Sequence, residues 1–362
     1  MTKEKISAFQ FFTMLFISRT LTTVTYLSSY TKDVRLSDML VQPIFRISIG
    51  ILIMVPFYFI YKKQSNIDIL SEIKARSKLC SKVTVFCYVV TFFYFTVVTI
   101  ARLDVFAGTV VFPETDVDFM IVFAILLCAY GAYLGLEALG RSAVLSAILV
   151  IPALIFIMAT LIKKIDLLNL TPVFYNGVTP VIKTAIDSVG QTVEYAIIVL
   201  CLPKVTGNIK KGFWVWLILQ TALMATMFFF ATAVMGNFTS TQLFPFHTLA
   251  SLAEFSMFDR LDAIFTSVWI LCAFIKAGLL IYLQADILHK EFSKAKKQYL
   301  IIGIAIVTIV TNLFISGEFN RFSIIDNSVI KIIVTVLTAF VIPLAVLVLI
   351  RKGRSKECAK QQ

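Results

Sequence analysis

The sequence predicts an all-α integral membrane protein with about ten transmembrane helices, and three observations support this fold class. Hydrophobic residues make up 59% of the 362-residue chain and charged residues only 15%. The mean hydropathy is +0.90. Soluble domains average about 45–50% apolar and about 25% charged residues. The apolar residues also fall into runs of roughly 20, the length of helix that crosses a bilayer.

In chain order, a hydropathy window of about 19 residues predicts ten crossings with short connections. They are residues 7–30, 42–61, 83–103, 119–138, 142–162, 184–202, 212–235, 261–284, 299–315 and 328–350. No cleavage signal follows the first lysines, so the first helix is expected to be retained. The chain is then a single transmembrane domain that ends in a basic tail, 351–362.

The basic residues between these runs predict the orientation. An even number of crossings puts both termini on one side. If that side is the cytoplasm, the cytoplasmic segments hold 21 Lys and Arg residues. The opposite side holds nine, and this count includes Arg46 and Lys331. The positive-inside rule therefore predicts cytoplasmic termini. This topology, together with attraction to anionic membrane lipids, explains the net charge of +12, so no nucleic-acid partner is expected.

Two connections are predicted to be helical. Residues 67–78 place Glu72 four positions before Arg76, which predicts a short amphipathic helix at the inner membrane interface. Residues 246–258 carry apolar side chains at helical spacing and are expected to lie across the outer mouth.

The longest outer connection predicts an internal repeat. Residues 164–183 separate the fifth and sixth crossings, so 1–163 and 184–350 would form the first and second repeats of a five-plus-five inverted arrangement. Pro152 and Pro343 lie in similar apolar runs of the two halves, which is weak support because prolines kink many membrane helices.

Helix 1 is the first place to search for a ligand site. In inverted-repeat transporters the first helix of each half is discontinuous at mid-membrane, and its freed backbone groups hold the ligand. The polar stretch 18–25 is the expected break. An arginine inside the bilayer is costly unless it has a partner or reaches water, so Arg19 is either a cation for a carboxylate-bearing ligand, an ion-pair partner of Glu194, or a snorkelling side chain. The candidate substrate-binding residues here are Ser18, Arg19, Thr20, Thr22 and Thr23.

Helix 6 is expected to be discontinuous within 187–194. A glycine lets the backbone leave helical geometry and approach a solute closely, although a small residue that eases helix packing is the alternative for Gly190. The candidate substrate-binding residues here are Ser188, Gly190, Gln191 and Thr192.

Helices 3 and 8 complete the candidate site. Lys276 lies near the middle of helix 8, and a buried lysine gains or loses its proton readily. It would therefore switch charge as the site loads, replace a sodium ion, or serve as a fixed countercharge. Tyr94 and Thr99 of helix 3 are further candidates, although both residue types also serve packing and backbone bonding.

Enzymatic and metal functions are not expected. The sequence has no P-loop, no GxSxG element and no evident pair of nucleophile and base. The six cysteines show no CxxC spacing, and the two histidines lack neighbouring ligand residues at metal-binding spacing. No cofactor is therefore predicted.

Several blocks within residues 133–288 resemble a known family. They are GLEALGR, then IDLLNLTPVFYNGVTPVIKTAIDSVGQTVEYAIIVLCLPKV, then FPFHTLASLAEFSMFDRLDAIFTSVWILCAFIKAGLLIYLQA. The more specific pieces are N-G-x-x-P-x-x-K at 176–183 and the F-I-K of helix 8. These blocks resemble the spore germination permease family, the B subunits of nutrient germinant receptors.

The resemblance implies a LeuT-like fold of the amino acid, polyamine and organocation superfamily. It also implies a sensing subunit in the inner membrane of a bacterial endospore. That subunit would bind a small nutrient such as an amino acid near mid-membrane and act in a hetero-oligomer with other receptor subunits. A proton-coupled amino acid permease is the alternative. Two departures leave the ligand open: the first glycine is Gly50, whereas the family often has one in helix 1, and Glu194 lies four residues after Gly190 rather than beside it.

Overall fold

The computed structural model is almost entirely helical. It describes residues 5–25, 36–63, 68–111, 118–171, 174, 177–254, 261–292 and 295–349. Its helices are α1 Ala8–Val24, α2 Gln42–Lys63, α3 Ile69–Arg76, α4 Lys78–Phe106, α5 Asp118–Leu134, α6 Leu136–Leu161, α7 Thr179–Gly190, α8 Glu194–Cys201, α9 Ile209–Met235, α10 Pro245–Ser251, α11 Asp262–Glu291, α12 Lys297–Ile315, α13 Phe319–Ile325 and α14 Ser328–Val336. Two short parallel strands, β1 Ile6–Ser7 and β2 Val205–Thr206, pair with each other.

The predicted membrane fold is confirmed. Among the described residues, seven helical stretches are long and apolar enough to cross a bilayer, and the bent pair α7–α8 makes an eighth. Helices α1 and α5, with 17 residues each, lie at the short end of the roughly 17–25 residues that a crossing needs. They occupy the first and fourth predicted crossings.

Glycine and capping residues set several helix ends. Ser7 caps α1 in a reciprocal pair with Gln10, and its hydroxyl accepts from the Gln10 backbone N–H at 3.2 Å. Gly135 has a φ of 97° and is all that separates α5 from α6. A residue with a side chain is strained in that conformation, which explains why the turn falls at a glycine. The turn lies earlier than residues 139–141, where the fourth and fifth crossings were predicted to be joined.

The short connecting helix between α2 and α4 is confirmed. Asp68 caps α3 by accepting from the Leu70 backbone N–H at 3.3 Å, and the predicted pair of Glu72 and Arg76 lies 3.7 Å apart. In the second predicted connection, α10 is helical, whereas residues 255–258 lie outside the described part of the chain.

Helix contacts recur in the two halves of the chain. The contact of α1 with α9 corresponds to the contact of α7 with α2. The contact of α1 with α6 corresponds to the contact of α7 with α14. Likewise α5 packs on α11 as α12 packs on α4, while α4 and α11 pack on each other. A five-plus-five repeat predicts these paired contacts, because each helix of one half has its equivalent five crossings later.

α1 is continuous through the polar stretch in which a break was expected. The hydroxyls of Thr20, Thr23 and Thr25 bond backbone carbonyls four residues earlier, at 2.8, 3.4 and 2.6 Å. Threonine satisfies its hydroxyl inside a helix in this way, so the polar residues do not unwind α1. Within the described residues the helix ends only at Thr25.

The predicted break in helix 6 is present. α7 ends at Gly190, α8 begins at Glu194, and the two axes differ by 41°. The Thr192 hydroxyl donates to the Ser188 carbonyl at 2.9 Å and closes the turn between them. This break lies against α1, which contacts α8, and it forms the centre of the candidate site.

Candidate ligand-binding site

Arg19 of α1 caps the carboxyl end of α7. Its Nη1 donates to the Gln191 carbonyl at 3.1 Å, and its Nη2 donates to the carbonyl and hydroxyl of Ser188 at 3.2 and 3.0 Å. The last carbonyls of a helix lack helical partners and carry partial negative charge, which favours a cation there. Arg19 is only 2% exposed, so it does not snorkel.

Glu194 forms an ion pair with Lys276 and not with Arg19, which was one of the predicted partners. Its Oε1 accepts from the Ser18 hydroxyl at 2.7 Å and from Lys276 Nζ at 3.4 Å. Lys276 Nζ also donates to the Thr22 hydroxyl at 2.7 Å. Glu194 is fully buried in the first turn of α8, where the helix dipole stabilises a carboxylate. An ion pair with Glu194 was one of the alternatives for Arg19, whereas the fold brings Lys276 to Glu194 because α11 packs on α1.

A first cavity of about 20 Å³ lies beside this pair, between α1, α4, the α7–α8 break and α11. It has room for about one water molecule. Its polar lining comes from Thr22, Thr25, Thr99, Arg102, Gln191, Lys276 and Lys331, and Phe95 and Trp269 cover its apolar side.

A second cavity of about 40 Å³ lies across the break, between α1, α7 and α9. Its polar lining comes from Arg19, Thr22, Thr23, Gln42, Thr184, Asp187, Ser188 and Gln191. Thr22 and Gln191 line both cavities. These two residues therefore lie between the two spaces.

A buried ion cluster closes the first cavity on the α14 side. Asp326 Oδ1 lies 3.0 Å from Arg102 Nη2 and 2.6 Å from Lys331 Nζ. Arg102 Nη2 also donates to the Gln191 side-chain carbonyl at 3.2 Å. The cluster thus links α4 and α14 to the break in helix 6.

Sequence reasoning missed this cluster. Arg102 lay inside a predicted crossing, which was the available signal, since charges at membrane depth mark functional sites. The charge count assigned Lys331 and Arg46 to the outer side, but the structure buries both, at 0% and 1% exposure. They lie in α14 and α2, which begin at Ser328 and Gln42, where the hydropathy window also placed the starts of these crossings.

Most of the candidate residues converge on the two cavities. Thr22, Thr99, Gln191 and Lys276 line the first, and Arg19, Thr22, Thr23, Ser188 and Gln191 line the second. Ser18 supports them through its bond to Glu194.

Three candidates point elsewhere. The Thr20 hydroxyl bonds the Phe16 carbonyl, and that of Thr192 bonds the Ser188 carbonyl. The Tyr94 hydroxyl donates to the Ile325 carbonyl at 2.7 Å and so fixes the junction before α14.

Gly190 faces α14 and not a cavity. A Cβ added to it would lie 2.5 Å from Ile332 Cγ1 and 3.0 Å from the Ile332 backbone. The Thr335 hydroxyl donates to the Gly190 carbonyl at 2.7 Å. This geometry matches the packing alternative for Gly190, because it allows two helices to approach closely.

A larger groove of about 360 Å³ lies away from these charges, between α1, α2, α8 and α9. Its walls are apolar and aromatic, with Lys210 as the charged lining residue. Such walls suit an acyl chain of a membrane lipid better than a polar solute.

Ion pairs close one end of the bundle, near the carboxyl end of α8. Asp286 of α11 lies 2.8 Å from Lys204 and 3.6 Å from Lys297. Lys74 of α3 lies 3.2 Å from Glu291, which belongs to the same helix as Asp286. These contacts tie α3, α11, α12 and the end of α8 together on the side predicted to be cytoplasmic.

Comparisons with known proteins agree with this architecture. A family model described as "Spore germination protein" matches residues 5–320. "Putative spore germination protein YfkT" of Bacillus subtilis (strain 168) is 27% identical over 199 residues, covering 54% of this chain and 54% of that protein. The chain thus aligns with about half the length of this curated relative. A solved Na+-coupled sialic acid symporter, substrate-bound and outward-open, matches with a TM-score of 0.62 at 14% identity, over 94% of this chain and 80% of that chain. This likeness shows a LeuT-like transporter fold.

Proposed function

The chain belongs to the spore germination protein family, and from this premise we propose that it is a nutrient-sensing subunit of a spore germination receptor. It is a multi-pass membrane protein with a permease-like fold. In the proposal, a small nutrient such as an amino acid binds at the break in helix 6. Partner subunits then respond to the occupied site.

The observation that carries the proposal is the set of polar groups that line the first cavity. Thr22, Thr99, Gln191 and Lys276 reach it from α1, α4, the break and α11. Polar and charged groups inside a bilayer are costly, and they mark ligand or ion sites. Transporter folds place such sites near the membrane midplane, where helices are discontinuous.

The small size of both cavities favours sensing by a change in conformation. Neither about 20 nor about 40 Å³ accommodates an amino acid. A ligand that binds a more open arrangement shifts the population toward it, in proportion to its preference for that state. The change would reach the ion pairs around Asp286, since α11 carries both Lys276 and Asp286.

The proposal includes a cellular setting. Both termini would lie in the cytoplasm, and the protein would act in the inner membrane of a bacterial endospore in a hetero-oligomer with other germinant-receptor subunits. Lys74, Lys290 and Lys297 lie at one end of the bundle, which supports this orientation under the positive-inside rule.

A gene deletion tests the proposal. Spores that lack this protein should lose the response to at least one nutrient, and the wild-type gene should restore it. Lys276→Met should fail to restore it, whereas Lys211→Met should restore it because Lys211 is an exposed lysine at the start of α9. A normal response of the deletion spores to every nutrient tried would contradict the proposal.

The buried pair of Lys276 and Glu194 favours a second function, that of a proton-coupled amino acid permease. A buried titratable pair next to a cavity can exchange a proton as a solute binds. Reconstituted vesicles would then show saturable uptake driven by a pH gradient, and Lys276→Ala would abolish it. Absence of uptake across a broad amino acid panel would exclude this function.

A further inference from the structure

We propose that the apolar groove between α2 and α9 binds an anionic phospholipid, with one acyl chain in the groove and the headgroup at the lysines of its charged end. This groove of about 360 Å³ shares no lining residue with either polar cavity. The lipid would therefore bind apart from the nutrient, and the inference goes beyond the proposed function.

The groove has the length of one membrane leaflet. Its α2 wall runs from Ile51 to Tyr61. At a rise of about 1.5 Å per residue, this stretch covers about 15 Å. That is half of the hydrocarbon core of a bilayer, which is roughly 30 Å thick. An acyl chain that lies along α2 would thus remain in a single leaflet.

The groove is concave because four helices enclose it. Trp214 belongs to the α9 wall, and the side chains at the base come from α1 and α8. These base residues are Phe12, Ile198 and Leu202, and each is at most 6% exposed, whereas Val55 on the α2 wall is 38% exposed. A chain in the groove would therefore be held on three sides, unlike a lipid that covers the convex face of one helix.

Two lysines give the groove a positively charged end. Lys210 lines it at the start of α9, and Lys62 follows the lining residue Tyr58 by four positions, which places both on the same face of α2. Both lysines are exposed, and in the part of the chain that the structure describes neither has an ion-pair partner. An ammonium group binds phosphate as a point charge, and lysines next to the membrane attract anionic lipids.

Aromatic side chains mark the depth of this end. Tyr58 and Trp214 lie on opposite walls of the groove, and each is 51% exposed. Tyrosine and tryptophan concentrate at the membrane–water interface, level with the lipid headgroups. The lysine end of the groove therefore lies at headgroup depth, and the aliphatic lining from Ile51 to Val55 lies at the depth of the acyl chains.

The fluorescence of Trp214 gives a direct test. The chain has three tryptophans, and the other two, Trp216 and Trp269, are each 1% exposed, so a quencher in the lipid reaches Trp214 first. The full-length protein would be reconstituted in mixtures of phosphatidylglycerol and phosphatidylcholine in which one of the two lipids carries brominated acyl chains. Trp214→Phe should remove the quenched signal and so assign it to the groove.

We expect phosphatidylglycerol to associate at Trp214 about fivefold more strongly than phosphatidylcholine, which is the preference that one lysine near an anionic headgroup supplies. Lys210→Gln should lose most of this preference. Lys82→Gln should keep it, because Lys82 is an exposed lysine of α4, a helix that does not line the groove. Equal quenching by the two lipids in the wild type would overturn the proposal. Quenching by neither lipid would also overturn it, because another part of this chain or a second copy would then cover the groove.

A pair of α2 variants tests whether a chain enters the groove. Val55→Phe fills part of the space, whereas Leu52→Phe adds the same ring at an exposed α2 position that does not line the groove. The first variant should lose the preference for phosphatidylglycerol while unselective quenching remains, and the second should keep the preference. A preference that survives in Val55→Phe would show that headgroup attraction acts without a chain in the groove, and it would overturn the proposed site.

Discussion

Lys276 Nζ of α11 lies 3.4 Å from Glu194 Oε1 at the start of α8, and both side chains are at most 3% exposed. The same lysine donates to the Thr22 hydroxyl of α1. The Lys276 ammonium group therefore contacts both α1 and α8, which belong to the first crossing of each half of the chain. The pair of Lys276 and Glu194 is strongly coupled, because removal of either charge leaves the other buried without a partner.

A double-mutant cycle on this pair should show that coupling. Glu194→Gln and Lys276→Met should each lower the free energy of unfolding by about 3–5 kcal/mol. The double variant should lose less than the sum of the two, with a coupling of about 0.5–3 kcal/mol. Unfolding in mixed micelles measures all three variants. Strictly additive losses would show that the two charges do not interact.

The close approach of α14 predicts a difference between two glycines. Gly190→Ala places a methyl group 2.5 Å from Ile332 Cγ1 and close to its backbone, so overpacking should destabilise the protein by about 1–3 kcal/mol. Gly303→Ala in α12 is the matched control, because nothing lies within 4 Å of its added Cβ. Alanine should be neutral or stabilising there, since it favours helix more than glycine does. Equal stability of the two variants would contradict the packing role of Gly190.

The ion pairs around Asp286 predict a change in accessibility. Cys201 at the end of α8 is 1% exposed, whereas Cys80 is exposed. Asp286→Asn weakens the contacts to Lys204 and Lys297 and should raise the rate at which a thiol reagent labels Cys201. Mass spectrometry would quantify each site, with Cys80 as the internal control. An unchanged rate at Cys201 would show that these contacts do not hold this end closed.

The position of Arg19 predicts that its loss affects stability as well as ligand response. Arg19→Ala leaves the Ser188 and Gln191 carbonyls without their charged donor and should cost about 1.5–3 kcal/mol. Arg19→Lys should fall between alanine and wild type, because an ammonium group lacks the planar fork that spans two acceptors. Thermal unfolding and nutrient response would be measured on the same variants. Loss of response with unchanged stability would indicate direct contact with the ligand instead.

Composition and hydropathy predict the membrane fold because the bilayer imposes a length and an apolar character on every crossing. The glycine and hydroxyl residues of 187–194 likewise predict the break in helix 6, because these residues compete with helical geometry. The same reasoning fails for residues 18–24, which are regular helix in α1, while residues 26–30 of that predicted crossing lie outside the described part of the chain. The threonines of α1 return their hydroxyls to the helix backbone, and a single sequence does not show which choice a threonine makes.

The partners of buried charges are harder to predict from sequence. Glu194 lies 82 positions from Lys276, and Asp326 lies 224 from Arg102. Tertiary packing alone decides which pairs meet. The charge count even assigned Lys331 to the outer side, although the predicted crossing 328–350 contains it, whereas the fold buries it against Asp326.

The two short strands have a mechanical consequence. Ile6 and Ser7 precede α1, Val205 and Thr206 follow the end of α8, and these segments are hydrogen-bonded side by side. This strand pair couples the tilt of α1 to the tilt of α8. The two helices should therefore rotate together about the bend between α7 and α8. In the proposed sensor, a movement of α1 or α8 on ligand binding would pass to the other helix through this strand pair.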